Sequence, residues 1–229
     1  MLVPSPGSPD TVSAMAWGRL ITIEGLDGSG KTTLCLGLLK ALTERGLDVR
    51  MLREPGGVDA AERIRGLLHD PTLRIGARSE ALLFAAARAQ LVEEALEPLL
   101  SAGTWVLLDR FVDSSLAYQG LGRKLGMQEV AEINRFATRG LVPDRTLLLA
   151  VSSEIARTRT RSRPAAADRL EREHDEFFSR VAAGYLDLAA SDPQRIRIVD
   201  GNESPDGVLG RALAQLADLL PVGAEPRPR

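Results

Sequence analysis

A glycine-rich stretch, ITIEGLDGSGKTTL, constrains the fold of this chain more than any other part of its sequence. It contains Gly25-x-x-x-x-Gly30-Lys31-Thr32, a complete P-loop pattern. A β-branched run precedes the glycines and a helical pattern follows them, as a phosphate-binding strand–turn–helix unit requires. Glycines let the backbone turn tightly and aim N–H groups at phosphate oxygens, so the stretch predicts a nucleoside triphosphate site.

Individual side chains of the loop have separate predicted tasks. Lys31 can reach the β- and γ-phosphates, and the Thr32 hydroxyl can ligate Mg²⁺. Asp27 has two interpretations: it accepts a hydrogen bond within the turn, or it points over the triphosphate toward a hydroxyl or a Mg²⁺-bound water. The residues predicted to surround ATP are Gly25, Leu26, Asp27, Gly28, Ser29, Gly30, Lys31, Thr32 and Thr33.

Short apolar runs alternate with longer helical patterns, which is typical of βαβ units and predicts an α/β fold with a parallel sheet. The predicted strands are Leu20–Glu24, Asp48–Arg53, Trp105–Asp109, Thr146–Val151 and Arg195–Val199. The predicted helices are Lys31–Arg45, Asp59–Leu68, Ala77–Leu100, Gln128–Arg139, Ser153–Thr160, Glu171–Ala190 and Pro205–Leu219.

Composition limits the possible partners. The chain has 229 residues, of which 44% are hydrophobic, and its formal charge is -2. Acidic and basic residues are mixed along the sequence, so no nucleic-acid partner is predicted. No apolar run approaches a membrane span, and the first residues lack the charged and apolar regions of a secretory signal. Its one cysteine, Cys35, cannot form an internal disulfide, so a reducing cytoplasm is the simplest location.

One domain is predicted, over residues 18–220. Residues 1–17 and 221–229 are expected to be disordered, and Met15 is an alternative start. The charged segment RSRPAAADR, which is interrupted by Pro164, is predicted to be a mobile surface loop between two helices.

Two further strands end in charged residues. TWVLLDR ends in Asp109 and Arg110, a Walker B arrangement that places a carboxylate near Mg²⁺, although an isolated Asp-Arg pair is more often a surface ion pair. Both lie where the carboxyl ends of parallel strands gather ligands. REPGG places Arg53 at a strand end, where an arginine is an ordinary solvated residue unless it binds an anion.

The segment LLFAAARAQL places an aromatic ring and a guanidinium on one face of a helix. Phe84 and Arg88 stand four residues apart, and the alanines between them allow close approach. The pair suits a nucleobase that is stacked and hydrogen-bonded. Taken alone, it is more readily interpreted as a core phenylalanine beside a surface arginine.

Together GLDGSGKTT, REPGG, FAAARAQ and DRFVDSSLAYQG occur in the order and spacing of thymidylate kinases, and the resemblance covers Arg19 to Leu219. It implies a P-loop nucleoside monophosphate kinase fold, three layers αβα with a five-stranded parallel sheet, a mobile lid over about residues 157–170, and a homodimer. The reaction it implies converts ATP and dTMP into ADP and dTDP with Mg²⁺, the metal being held by Thr32 and Asp109.

The resemblance also implies roles on the acceptor side. Asp27 resembles the carboxylate near the sugar 3′-hydroxyl and the acceptor phosphate, while Arg53 and Arg110 resemble the pair that grips the dTMP phosphate. Phe84 resembles the plane that stacks on thymine and Arg88 the donor to thymine O4. The positions of Ser115 and Tyr118 line the base and the deoxyribose.

The lid region is rich in arginine, whereas the P-loop contains none. This resembles the bacterial subtype in which the lid supplies a catalytic cation. Arg159 and Arg163 share a helix face and Arg161 does not. The predicted catalytic residues are Lys31, Asp27, Arg110, Arg159 and Arg163.

Rival functions have weaker support. A signalling GTPase would need Asn-Lys-x-Asp, which this sequence lacks, and a partition-type ATPase would need a second lysine near Leu26 and Asp27. A kinase for another nucleoside monophosphate or for a deoxynucleoside remains the alternative.

Overall fold

The architecture is an α/β fold around one parallel sheet. The computed structural model describes residues 17–161, 169–170 and 173–221. Neighbouring strands follow the order β2-β3-β1-β4-β5. The strands are β1 (Leu20–Glu24), β2 (Val49–Arg53), β3 (Trp105–Asp109), β4 (Arg145–Ala150) and β5 (Ile196–Asp200).

Helices connect the strands and cover both faces of the sheet. Two of them run into π-helical segments, Val92–Leu96 between α3 and α4 and Leu116–Gly122 after α5. The α-helices are α1 (Lys31–Glu44), α2 (Asp59–His69), α3 (Ala77–Leu91), α4 (Glu97–Ser101), α5 (Val112–Ser115), α6 (Met127–Ala137), α7 (Ser153–Arg161), α8 (Asp175–Ser191) and α9 (Pro205–Ala214).

Alternate strand residues enter different cores, since successive side chains of a strand point to opposite faces. On one face Ile21 and Ile23 pack with residues of α1 and α9. On the other face, Leu20 packs against the α3–α4 segment, while Leu148 packs against α8 and the π-helical segment after α5. The sheet is therefore buried on both sides, and the three-layer prediction is confirmed.

All five predicted strands are present, each displaced by at most one residue. The predicted helix Ala77–Leu100 is continuous but contains the π-helical segment, and the last two predicted helices are shorter than expected. Sequence analysis missed the helical stretch from Val112 to Gly122. Its serines and glycines have low helix propensity, and it is burial against α8 that stabilises it.

The strand order positions the functional segments. In the register of the sheet, Ile23 of β1 and Arg53 of β2 both stand opposite Asp109 of β3. The P-loop follows Glu24, the last residue of β1. The charged strand ends Glu24, Arg53 and Asp109 therefore share one edge of the sheet with the glycine turn. This edge is a topological switch point, where open α/β sheets bind their ligands.

The predicted terminal segments fall mostly, and the predicted lid partly, outside the described residues, so those boundaries stay predictions. Within the described ranges, no helix combines the length and the apolar character that crossing a bilayer requires.

Candidate active site

The glycine turn adopts a backbone that side chains would obstruct. Gly25, Gly28 and Gly30 have φ angles of 138°, 81° and 102°. A Cβ on Gly25 would lie 2.6 Å from the carbonyl oxygen of Leu149, which is too close. The buried hydroxyl of Ser29 has no hydrogen-bond partner among the described residues. A tight glycine turn with an unsatisfied donor is suited to hold a phosphate oxygen.

Lys31 lies inside the turn rather than in solvent. Its Nζ donates to the carbonyl oxygens of Gly25 at 3.2 Å and Leu26 at 2.9 Å. Burial and the neighbouring Arg110 lower its pKa to about 8, although Asp27 opposes the shift. The ammonium is thus mostly charged at neutral pH and close to where the β- and γ-phosphates of a nucleotide would lie.

Thr32 and Asp109 meet at the end of β3. Thr32 Oγ1 donates to Asp109 Oδ2 over 3.1 Å, so the two predicted metal ligands lie side by side. In the described part of the chain, no three His, Cys, Asp or Glu side chains form a metal cluster. The pair fits Mg²⁺, which typically takes one or two protein oxygens and completes its shell with phosphate and water.

Arg110 connects the loop with the opposite wall of the site. Its backbone has a φ of 73°, in the left-handed region that non-glycine residues rarely adopt. Nη2 lies 2.6 Å from Asp27 Oδ1, and Nη1 donates to the carbonyl oxygen of Gly25 at 3.0 Å. Arg110 therefore pairs with Asp27 and is not half of a surface pair with Asp109.

Asp27 accepts hydrogen bonds from two side chains of the site. Besides Arg110, the Tyr118 hydroxyl donates to its Oδ2 over 3.2 Å. Burial alone would raise the pKa of Asp27, but Arg110 and Lys31 outweigh it and hold that pKa well below its usual range. Of the two interpretations of Asp27, the structure favours the one in which the carboxylate points across the site.

Arg53 is the most exposed of the predicted acceptor residues. It pairs with Glu62 of α2, with distances of 2.9 and 3.1 Å from Nη2 to the two carboxylate oxygens. Its side chain is 55% exposed, so the pair is open to solvent. Such a pair contributes little to stability and can be exchanged for a phosphate.

Arg88 is buried, with 1% exposure, and is not the surface residue that its sequence context also allowed. Nε and Nη2 contact Glu54 Oε2 at 2.8 and 2.6 Å, and Nη2 also donates to the carbonyl oxygen of Phe111. Nη1 donates to Ser115 Oγ and Asn134 Oδ1. Arg88 donates four hydrogen bonds and its Nη2 also forms an ion pair with Glu54, so a base oxygen reaches Arg88 only by replacing or sharing one of these partners.

A single cavity of about 310 Å³ joins the loop to these residues. Phe84 and Arg88 line it together with Lys31 and Arg110, so the two halves predicted from separate motifs form one site. The predicted residues in its wall are Asp27, Gly28, Gly30, Lys31, Thr32, Thr33, Arg53, Phe84, Arg88, Asp109, Arg110, Ser115 and Tyr118.

The remaining loop residues and Arg159 line other pockets. Gly25 and Leu26 border a separate apolar pocket, and Ser29 lines a pocket of about 250 Å³ whose wall also includes Arg159. Arg159 Nη1 donates to the carbonyl oxygen of Gly201 over 3.4 Å. The side chain of Arg161 and the whole of Arg163 lie outside the described residues.

Sequence analysis missed several buried residues that support this site. Glu54 and Asn134 contact Arg88, and Glu24 and Tyr185 stand behind Arg110. Glu24 had a usable signal, because it is an acidic residue at the end of an apolar strand, as Asp109 is. Glu54 lies in the REPGG segment, but its partner Arg88 comes from a distant helix, and Asn134 and Tyr185 left no local pattern.

The fold and the cavity define a P-loop α/β protein with an arginine-rich second subsite beside the phosphate-binding turn. A family model described as thymidylate kinase matches residues 23–210. The chain belongs to the thymidylate kinase family.

Individual relatives agree with this membership. A thymidylate kinase of Halorhodospira halophila is 44% identical over 211 residues, covering 91% of this chain and 98% of that protein. One of Rhizorhabdus wittichii is 46% identical over 206 residues, covering 89% and 99%. The crystal structure of thymidylate kinase from Ehrlichia chaffeensis superimposes with a TM-score of 0.73 at 29% identity, covering 88% of this chain and 99% of that one.

Proposed function

We propose that the protein transfers the terminal phosphoryl group of ATP to dTMP and releases ADP and dTDP. The observation that carries this proposal is the shared cavity, in which the phosphate-binding turn and the Phe84–Arg88 pair face the same space. Membership of the thymidylate kinase family supports the choice of dTMP as acceptor.

The charges of the site suit transfer between two phosphates. The acceptor oxygen of dTMP is already anionic at neutral pH, so the reaction needs little help from a general base. The barrier is reduced mainly by aligning two anions and by neutralising the charge between them. Lys31 is placed to contact the donor phosphates, and Arg110 the acceptor phosphate.

Arg110 remains a cation throughout. Burial lowers its pKa, but Asp27 and other neighbours outweigh burial and keep that pKa well above its usual value. Asp27 in turn stays ionised and fixes the guanidinium between the loop and the acceptor subsite. Arg53, released from its exposed pair with Glu62, is placed to add a second cation at the acceptor phosphate.

The base subsite consists of Phe84 and Arg88, with Ser115 beside them and Tyr118 toward the sugar. Phe84 lines the cavity one helical turn before Arg88, which suits a ring stacked on thymine while Arg88 donates to O4. Ser115 accepts from Arg88 at 2.9 Å and is the partner that a base oxygen can replace or share.

The metal and the lid complete the proposal. Thr32 and Asp109 would hold Mg²⁺, which neutralises the phosphates of ATP when bound. Arg159 or Arg163 would supply a further cation from the lid. We also propose that the protein is a cytoplasmic homodimer. The family resemblance supports the homodimer, and the single buried cysteine suits a reducing cytoplasm.

Product identification tests the reaction. Incubation of the protein with ATP, Mg²⁺ and dTMP should give dTDP and ADP in a one-to-one ratio on anion-exchange chromatography. Thymidine, which offers a hydroxyl and no phosphate, serves as the control acceptor and should give no product. Formation of dTMP from thymidine would instead identify a deoxynucleoside kinase.

A further inference from the structure

Glu24 ends β1 immediately before the phosphate-binding turn and is fully buried, with 0% exposure. Its Oε1 accepts hydrogen bonds from the backbone N–H of Phe111 at 2.7 Å and of Ser114 at 3.3 Å. Phe111 precedes α5 and Ser114 lies within it, so both donors belong to the segment that follows β3. A carboxylate in β1 therefore holds the start of a different segment of the chain, the one that carries Arg110.

The second oxygen of Glu24 binds two hydroxyls. Oε2 accepts from Ser114 Oγ at 2.5 Å and from Tyr185 OH at 3.0 Å. These hydroxyls lie 2.8 Å from each other. Both also contact Arg110, whose Nη1 donates to Ser114 Oγ at 3.0 Å and to Tyr185 OH at 3.2 Å. Each hydroxyl thus gives its hydrogen to Glu24 and offers its oxygen to the guanidinium.

The backbone of Arg110 needs such support. Its φ of 73° lies in the left-handed region, and residues held there persist only where the surroundings fix them. The N–H of Arg110 donates to the carbonyl oxygen of Ile23, and the next N–H, that of Phe111, donates to Glu24. Two consecutive residues of β1 therefore hold the turn on either side of the strained position.

We propose that Glu24 is a positioning residue that holds Arg110 for the acceptor phosphate, acting through Ser114 and Tyr185. The proposal deepens the proposed function and rests on it. Glu24 itself is sealed from solvent, so it acts on substrate only through Arg110. Its carboxylate organises the protein-facing side of the guanidinium, and this leaves the opposite edge oriented toward the cavity.

A carboxylate is required because four donors converge on it. Glutamine at this position can still accept from the two backbone N–H groups through its single carbonyl oxygen. Its NH₂ group, however, faces the two hydroxyls and must donate to them. At least one hydroxyl hydrogen then turns toward Nη1 of Arg110, itself a donor, and the guanidinium is displaced. The change preserves volume and alters only the hydrogen-bond polarity.

The test compares Glu24→Gln with two further variants. Tyr185→Phe removes one of the linking hydroxyls while keeping its ring. Glu80→Gln is the matched control, because Glu80 is also 0% exposed but pairs with Arg123 at 3.0 Å and makes no contact with Glu24 or Arg110 that the structure describes. Circular dichroism confirms folding. At about pH 8.5, above the pKa of Glu24, which burial raises to about 7, calorimetry gives the affinity for dTMP without turnover and steady-state kinetics give both KM values.

We expect Glu24→Gln to weaken dTMP binding and to raise the KM for dTMP about tenfold. Tyr185→Phe should raise the KM for dTMP by a smaller factor. In both variants the KM for ATP should stay within about twofold of the wild-type value. Glu80→Gln should leave both KM values unchanged. A folded Glu24→Gln protein that binds dTMP like the wild type would overturn the proposal, as would equal losses for both nucleotides or in the control. If Glu24→Gln does not fold, Tyr185→Phe decides by the same criteria.

The wild-type protein separates this proposal from the proposed function. A wild type that binds dTMP without converting it contradicts the function, while the calorimetric comparison still decides the role of Glu24. A wild type that does not bind dTMP overturns both. An active wild type beside an unaffected, folded Glu24→Gln variant contradicts the positioning role alone.

Discussion

Arg110 Nη2 lies 2.6 Å from Asp27 Oδ1, so a carboxylate of the phosphate-binding turn is bonded to an arginine from the end of β3. The two residues stand 83 positions apart in the chain. Their contact ties the donor half of the site to the acceptor half. Arg110 also lies 5.1 Å from the ring centre of Tyr118, which fixes the guanidinium plane from a second side.

The first prediction concerns Lys31. Lys31→Ala should fold normally but lower kcat/KM about 100-fold or more, because it removes a buried cation placed at the donor phosphates. Lys40→Ala is the matched control, since Lys40 is exposed on the same helix, α1. Steady-state kinetics and circular dichroism check both variants. Near-wild-type turnover in a folded Lys31→Ala protein would contradict the assignment of this turn to ATP.

The second prediction concerns Arg88. Arg88→Ala would leave Glu54 buried without a cation and should cost about 3 kcal/mol of folding free energy or more. Arg88→Lys is therefore the better probe of binding. Lysine keeps the charge but loses the planar fork of donors. We expect calorimetry to show weaker dTMP binding, by about 1.5–3 kcal/mol, with ATP binding unchanged.

Arg78→Ala, an exposed arginine near the start of α3, provides the control for Arg88. It should change neither affinity. Equal losses of dTMP and ATP binding in Arg88→Lys would place Arg88 outside the acceptor subsite.

The sequence predicts the sheet well because each strand is a local apolar run and the P-loop fixes where β1 ends. It also identifies many of the residues that line the cavity, because the motifs show which strand end carries which charge, but it does not identify Glu54, Ser114 or Gln119. It does not predict which side chains pair with one another. Arg88 meets Glu54 and Asn134, and Arg110 meets Asp27, only after the chain has folded. Sequence context therefore left Arg88 open to interpretation as a surface residue, whereas the fold buries it.

The third prediction concerns the lid. Arg159 lines a pocket with Gly28, Ser29 and Gly30, so its side chain is near the donor side of the turn. We expect Arg159→Ala or Arg163→Ala to lower kcat by about 10³-fold while dTMP affinity barely changes. Arg161→Ala, at a position that helical spacing predicts to lie on a different face from Arg159 and Arg163, should have a much smaller effect. If none of the three variants lowers kcat more than a few-fold, the lid is not the source of the catalytic cation.

The fourth prediction concerns pH and Glu24. Burial, and then the nearby Asp113, raise its pKa to about 7, against the opposing charge of Arg110. The folded state therefore binds the proton more tightly than the unfolded state, whose value is near 4.5. Glu24 contributes stability that is fully present below pH 4.5 and is lost as the pH rises through 7.

Urea unfolding at pH 5 and pH 7.5 measures this dependence. The free energy of unfolding should fall between the two pH values less steeply in Glu24→Gln than in the wild type. Charged and titratable groups that face Glu24, namely Asp113, Arg110, Lys31 and Tyr185, are present in both proteins, as are the two histidines. Glu44→Gln, an exposed change on α1, should leave the slope as it is. Identical slopes in wild type and Glu24→Gln would contradict the prediction.

The most direct test of the account is a coupled ADP-release assay of the wild-type protein across dTMP, dUMP, dCMP, dGMP and thymidine. We expect the highest kcat/KM for dTMP. The margin over dCMP, which has an amino group in place of O4, should be at least tenfold, since one well-made polar contact to a base corresponds to about that factor. dUMP shares O4 and lacks only the 5-methyl group, so its disadvantage comes from lost apolar contact alone. We also expect Arg88→Lys to lower kcat/KM more for dTMP than for dCMP. A higher kcat/KM with another nucleotide, or with thymidine, would contradict the assignment of this site to dTMP.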